Sequence, residues 1–251
     1  MKTLTITVPM AGLGSRMRPH TWSKPKPLIA LAGKTVLDYV LEQFDSALPG
    51  NEVEYVMVVG PNQREQVEPY LRAHHPHKKV HFVLQEVMRG QSDALYLARE
   101  HLKGPLLMAF SDTLIEAALT DLASRDVDCL TWVKPVDDPR RFGVAQVDGN
   151  GRVTRLVEKP QDFSNNLVLV GFYYFRRGEE LISAIEEQLQ RGVTLKNEYF
   201  LADAVNIMLA RGARMRTRQV DVWLDAGIPD TVLETNRYLL EHGRDNSNEA
   251  A

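Results

Sequence analysis

Apolar and polar residues recur along this chain with two different periods, and the changes of period mark its elements. Residues 3–8, TLTITV, alternate and are rich in β-branched side chains, which predicts a first strand. A loop punctuated by Gly and Pro runs from Pro9 to Gly33, longer than a simple connection requires. Val36, Leu37, Val40, Leu41 and Phe44 then recur at helical spacing, with Thr35 placed to cap that helix. The apolar run Val53–Val59 predicts a strand, Gln63–Ala73 a helix and Val80–Leu84 a strand. Ser92 is placed to cap a helix running to about Leu102, and Leu106–Phe110 reads as the next strand. A helix near Glu116–Ser124 and a strand at Cys129–Val133 follow. Strands alternating with helices imply a mostly parallel sheet covered on both faces.

The pattern changes after about residue 140. Gly143–Val147 and Val153–Glu158 flank DGNG, a hairpin signal, and Leu167–Phe175 predicts a long strand. Helices are expected at about 178–190, 199–211 and 228–242, with a short strand near 215–222. No internal repeat or Pro- or Ser-rich linker divides the chain. The simplest account is one mixed α/β domain over residues 1–243, parallel first and antiparallel later, followed by a disordered tail at 244–251 that lacks apolar residues.

Composition narrows the class. The chain has 251 residues, of which 44% are hydrophobic and 25% charged, a balance that excludes collagen-like, disordered and disulfide-stapled proteins. Its single cysteine, Cys129, allows no intrachain disulfide and points to a reducing, cytoplasmic setting; lying in an apolar strand, it reads as a buried, inert thiol. No apolar run approaches the roughly 20 residues of a membrane span. The opening segment carries one Lys and apolar residues interrupted by Thr, and reads as a strand rather than a signal peptide.

Charge changes the picture more. Thirty Lys and Arg against 33 Asp and Glu give a net charge of -3, which argues against nucleic-acid or membrane-surface binding. Residues 1–34, however, hold Lys2, Arg16, Arg18, Lys24, Lys26 and Lys34 with no Asp or Glu. This excess points to an anionic small molecule bound near the N-terminus, against the alternative of a solvated basic face. The first strand runs into PMAGLGSRMRP, where Gly12 and Gly14 let backbone N–H groups approach a phosphate and Arg16 adds a fork of donors. Two better-known glycine motifs fail on named residues. The dinucleotide fingerprint needs Gly where Met17 stands, and a P-loop ending at Gly33-Lys34-Thr35 needs Gly where Leu28 stands. In SKPKPL, Pro25 and Pro27 fix the backbone on both sides of Lys26, which either aims its ammonium inward or makes a surface turn.

Taken together, AGLGSRMRPHT, PKPL and GK resemble in order and spacing the opening of the sugar-1-phosphate nucleotidyltransferases, the group containing glucose-1-phosphate thymidylyltransferase and UTP–glucose-1-phosphate uridylyltransferase. The resemblance continues through QEVMRG, FSDT, EKP at 158–160, VGFYYF, NEYFLAD and WLDAG, and covers roughly residues 1–240. It implies a Rossmann-like three-layer α/β/α fold with a mixed, mainly parallel central sheet. It also implies transfer of a nucleoside monophosphate from a nucleoside triphosphate, dTTP or UTP favoured, to a sugar 1-phosphate, glucose 1-phosphate favoured, with release of pyrophosphate. Two polyanions must meet in such a reaction, so positioning and electrostatics supply most of the catalysis.

Residue by residue, the resemblance matches Ala11, Gly12, Gly14 and Ser15 to the nucleotide loop. Arg16 matches the arginine on the triphosphate, and Lys26 the lysine at the reacting phosphates. Asp112 and Asp225 match two carboxylates for Mg²⁺, a cation that prefers few carboxylates together with phosphate oxygens and water. Taken singly, either Asp also reads as a cap or turn residue. Gln85 and Gly90 match the readers of a pyrimidine base, and Lys159 and Glu158 the holders of the sugar phosphate and sugar hydroxyls. Gly143 and Gly171 match glycines of the sugar pocket. The chain departs from the family at Ser111, where Gly is usual, at Gln91 and Asp93 after Gly90, and at Ala202 in place of Thr. No β-helix repeat follows, so no acetyltransferase domain is expected. Rival readings are transfer from CTP or GTP to another sugar or alcohol phosphate, or a silent nucleotide-sugar-binding regulatory subunit. The latter would be marked by loss of Arg16, Lys26, Asp112 or Asp225, and all four are present. Self-association into a homo-oligomer is left open. His74, His75 and His77 read as a solvated loop, and Trp22 as either a lid or a packing residue.

Overall fold

The computed structural model describes residues 3–48, 52–117, 119, 122, 126–192 and 194–243. In chain order the strands are β1 (Leu4–Pro9), β2 (Ala30–Leu31), β3 (Lys34–Thr35), β4 (Val53–Val59), β5 (Lys79–Leu84), β6 (Leu106–Ala109), β7 (Thr113–Glu116), β8 (Cys129–Pro135), β9 (Gly143–Val147), β10 (Val153–Glu158), β11 (Leu167–Phe175), β12 (Met215–Gln219) and β13 (Val222–Asp225). The helices are α1 (Val36–Ala47), α2 (Pro61–His74), α3 (Gln91–Leu97), α4 (Gly178–Arg191), α5 (Leu201–Ala210) and α6 (Pro229–His242).

β1 lies between β4 and β6, parallel to both, and β5 extends the sheet parallel to β4. The chain enters at β1, builds outward through β4 and β5, then returns to place β6 on the opposite side of β1. That reversal opens a crevice at the carboxyl ends of β1 and β6, where ligands bind in open α/β sheets. Beyond β6 the direction alternates. β11 runs antiparallel to β6, β8 and β9, β10 closes a hairpin with β9, and β12 lies parallel to β8. A separate ribbon pairs β13 antiparallel with β7.

Because side chains alternate along a strand, one strand feeds two cores. Tyr55, Met57 and Val59 of β4 join the core under α1 and α2, while Val56 and Val58 join the core under α3, α4 and α5. This is the three-layer arrangement that the resemblance implies. Helix α1 starts where its cap was expected. The Thr35 N–H donates to Asp38 Oδ2 at 2.8 Å, and the Asp38 N–H donates to Thr35 Oγ1 at 3.1 Å, closing a reciprocal capping box.

Several expectations need correction. Ser92 is the second residue of α3, not its cap; Gly90 precedes the helix, and α3 ends at Leu97 before a short 3₁₀ turn at Arg99–His101. Glu116 closes β7 instead of opening a helix, because its strand pairs with β13; positions 118, 120, 121, 123 and 124 of that expected helix lie outside the described residues. The strand expected at 215–222 breaks into β12 and β13, which belong to different sheets. The expected tail at 244–251 also lies outside the described residues. The histidine run is only partly solvated: His74 and His77 are exposed, but His75 Nε2 lies 2.7 Å from Asp38 Oδ1. Trp22 is 76% exposed and Cys129 is buried, its thiol pushed up to about 12 by burial. Among the described residues no helix is long and apolar enough to cross a membrane.

Candidate active site

The segment after β1 turns across the end of the sheet because its glycines and prolines leave few alternatives. Gly14 has a φ of +60°, and a Cβ there would lie 3.0 Å from the Thr21 methyl. Thr21 Oγ1 fastens the turn by donating to Gly14 O at 2.8 Å. Gly12 has open space where a Cβ would stand, so its peptide faces the crevice unobstructed. Its carbonyl is held from behind by Gln63 Nε2 at 2.7 Å, while Gln63 Oε1 accepts from the Gly60 N–H at 3.0 Å. The role of Gln63 went unread in the sequence. Its signal was a Gln three residues after a Gly-Pro start, the helix-entry pattern of a capping box.

Further along, Pro25 and Pro27 are buried and Lys26 opens a 3₁₀ turn that aims its ammonium inward. There it pairs with Asp112, both side chains being mostly buried. Of the two readings of SKPKPL, the inward one holds for Lys26, while Lys24 is exposed. Asp112 lies three residues beyond the end of β6 and directly before β7. The ribbon of β7 and β13 brings Asp225 to its side: Asp225 is in register with Thr113, and the Ala226 N–H donates to Asp112 O at 2.8 Å. Burial, and next the Asp112 carboxylate, push Asp225 above its ordinary value, against donation from Thr231 and the nearby Lys26 ammonium. Thr231 Oγ1 donates to Asp225 Oδ2 at 2.8 Å.

These groups line one cleft of about 430 Å³. Ala11, Gly12, Gly14, Ser15, Arg16, Lys26, Gln85, Gly90, Asp112 and Ser111 all face it, as does Gly227 beside Asp225. Nine site residues expected from four separate stretches of sequence thus meet in one place. Arg16 makes no ion pair with any described residue. Gly90 has a φ of +104°, and a Cβ there would lie 2.6 Å from the Tyr199 N and O, which packs NEYFLAD against the cleft wall.

The expected sugar-side residues form a second group outside that lining. Gly143 and Glu158 sit opposite each other across β9 and β10, and a Cβ on Gly143 would meet Glu158 Oε2 at 3.0 Å. Lys159 has its Nζ 3.8 Å from Glu158 Oε1 and 4.8 Å from the centre of the Phe200 ring. Burial raises Glu158 above the usual carboxylate range, against the Lys159 charge, with Asp203 and Glu198 adding to the rise. Glu198, which the sequence reading did not single out, lines the main cleft and so joins the two groups. Gly171, with a φ of +84°, sits behind Phe110 of the cleft wall, and a Cβ there would lie 2.4 Å from that ring. Among the described residues no group of three or more His, Cys, Asp or Glu is arranged to hold a metal ion; the carboxylates at hand are the pair Asp112 and Asp225.

A family model described as Nucleotidyl transferase matches residues 8–242. The bifunctional protein GlmU of Methanococcus vannielii is 28% identical over 241 residues, covering 92% of this chain and 54% of that protein. The low-salt glycan biosynthesis nucleotidyltransferase Agl11 of Haloferax volcanii is 30% identical over 237 residues, covering 92% of this chain and 64% of that protein. The UTP–glucose-1-phosphate uridylyltransferase AglF of Haloferax volcanii is 27% identical over 238 residues, covering 92% and 94%. This chain therefore spans about half the length of the GlmU relative and somewhat more of Agl11. Among solved structures, a UDP-glucose pyrophosphorylase complexed with UDP-glucose shares the fold, with a TM-score of 0.81 at 19% identity, covering 96% of this chain and 99% of that one.

Proposed function

The chain belongs to the nucleotidyl transferase family, and from that premise we propose that it transfers a nucleoside monophosphate from dTTP or UTP to a sugar 1-phosphate, glucose 1-phosphate being favoured. The observation that carries the reading is the meeting of the glycine loop, Arg16, Lys26 and Asp112 in one cleft, with Asp225 brought beside Asp112 by the β7–β13 ribbon. AglF, which this chain covers almost end to end, supports UTP and glucose 1-phosphate by its name. The presence of all four charged residues weighs against a silent regulatory subunit.

In this reading the sugar phosphate oxygen attacks the α-phosphorus and the bond to the departing pyrophosphate breaks. The backbone at Gly12, with Ser15 and Arg16, holds the triphosphate. Lys26 offsets charge where the two polyanions approach, and water-poor surroundings strengthen that effect. Lys159 and Glu158, joined to the cleft through Glu198, suit the sugar phosphate and sugar hydroxyls. The pair Asp112 and Asp225 fits a divalent cation such as Mg²⁺, because the Asp112 carboxylate raises the proton affinity of Asp225 beside it and an added positive charge offsets that repulsion. Bound there, the ion supplies charge neutralisation and polarisation of phosphate oxygens. The buried single thiol agrees with a cytoplasmic setting.

Pyrophosphate release over a panel of five nucleoside triphosphates and several sugar 1-phosphates, with Mg²⁺, tests the proposal. Release with dTTP or UTP and glucose 1-phosphate is expected, and Asp112→Asn should lower it by about a hundredfold or more while circular dichroism stays unchanged. No release with any pair, or near-normal turnover by the folded variant, overturns it.

A further inference from the structure

Two of the departures from the family pattern, Gln91 and Asp93, have no part in the reaction as just described. Gln85 directly follows β5 at the wall of the cleft and is almost wholly buried. Its Nε2 donates to Asp93 Oδ2 at 2.9 Å and to Gly90 O at 3.2 Å. A backbone carbonyl and a carboxylate accept and do not donate, so the neighbours themselves dictate which end of the amide is nitrogen. Both Nε2 protons are thereby used. Oε1 receives no hydrogen bond from any described residue, and it is not among the buried atoms left without a partner. It is the end of the amide that remains for an occupant of the cleft.

Asp93 is itself held. Its side chain is 2% exposed, and Oδ1 accepts from Arg89 Nη2 at 2.6 Å. The loop between them is clamped by one residue: the Tyr199 N–H donates to Arg89 O at 2.8 Å and the Ser92 N–H donates to Tyr199 O at 3.0 Å. The orientation of the Gln85 amide is therefore set before any ligand arrives, so none of the binding energy is needed to order it.

Resting on the reading of this cleft as a nucleotide site, we propose that Asp93, backed by Arg89, is a positioning residue for base choice: it turns the Gln85 carbonyl oxygen toward the base, so that among pyrimidines the site takes uracil or thymine, whose N3 carries a proton, over cytosine, whose N3 accepts. A lone pair set against a lone pair leaves two desolvated acceptors unpaired, and sites built around a hydrogen bond discriminate strongly for that reason.

The test is calorimetric binding of UTP, CTP and N3-methyl-UTP to the full chain, with steady-state kinetics alongside. The wild type should bind UTP about tenfold to a hundredfold more tightly than either analogue. In Asp93→Asn the amide of Gln85 is free to turn over, so that ratio should fall to a few-fold, through KM more than kcat, and Asp93→Glu should restore part of it. Arg89→Gln, at a largely exposed side chain, should narrow the ratio without unfolding the chain, and it decides the matter if the Asp93 variants do not fold. Equal binding of UTP and its N3-methyl analogue by the wild type, or an undiminished ratio in Arg89→Gln or Asp93→Asn, overturns the inference alone. Failure of every nucleotide to bind overturns the nucleotide reading together with it.

Discussion

At the scale of single residues, the site is built from groups placed against their own preference. Asp225 is the clearest case, a half-buried carboxylate beside another carboxylate. A carboxyl whose folded value is raised binds its proton more tightly in the folded chain. Ionisation above the ordinary aspartate value of 3.8 therefore weighs against folding, and the penalty disappears as pH falls back through that region. Asp225→Asn should consequently melt a few degrees above the wild type at pH 7 in the absence of divalent cations, with the gap closing toward pH 4, while turnover is lost. A scanning-calorimetry series over pH checks this, and a variant less stable at pH 7 contradicts it. In the proposed cation-holding role of Asp225, such strain is a common exchange of stability for activity. The sequence marks Asp225 only through its motif, because no local pattern says that a strand 113 residues away will bring Asp112 beside it.

At the scale of elements, the ends of helices do much of the positioning. Burial alone would raise Asp38, but hydrogen bonds from His75, Tyr70 and Thr35 outweigh it and hold the carboxyl down to about 2. One side chain thus caps α1 and ties it to the end of α2, through Tyr70 Oη at 2.6 Å and His75 Nε2 at 2.7 Å. A carboxyl lowered in the folded chain contributes stability above the unfolded value of 3.8, and that contribution is lost as pH falls through about 2. Asp38→Asn should cost about 1 kcal/mol at pH 7, typical of a lost cap, or a melting point about 2–4 °C lower for a chain of this size. The difference should fade between pH 4 and pH 2, read as urea midpoints at each pH. The cap at Thr35 was legible in the sequence because capping is local. The ties to Tyr70 and His75 were not, since they depend on how two helices lie against one sheet. The same limit explains the misread start of α3: Ser92 is a good cap by type, but Tyr199, from a distant segment, takes its N–H.

At the scale of the whole molecule, the two cores share the strands between them, so neither face can be removed without exposing the other. We propose on that ground that residues 1–243 unfold as one domain. Calorimetry should show a single transition whose van't Hoff and calorimetric enthalpies agree; two separable transitions would contradict it. The sequence by itself determined the kinds and order of most elements, since hydrophobic period is a local property, and its chained motifs named nine of the residues that line the cleft. It also carried the charge excess of the first 34 residues, which is a matter of counting. Only the tertiary structure decided that Lys26 faces Asp112, that Asp225 arrives on a ribbon separate from the main sheet, that Gln63 holds the Gly12 carbonyl, that Glu198 lines the cleft and that Asp93 accepts from Gln85. Those facts depend on strand order and on the reversal at β1 and β6. Strand order is settled by the mutual burial of segments far apart along the chain, which no local pattern of residues records.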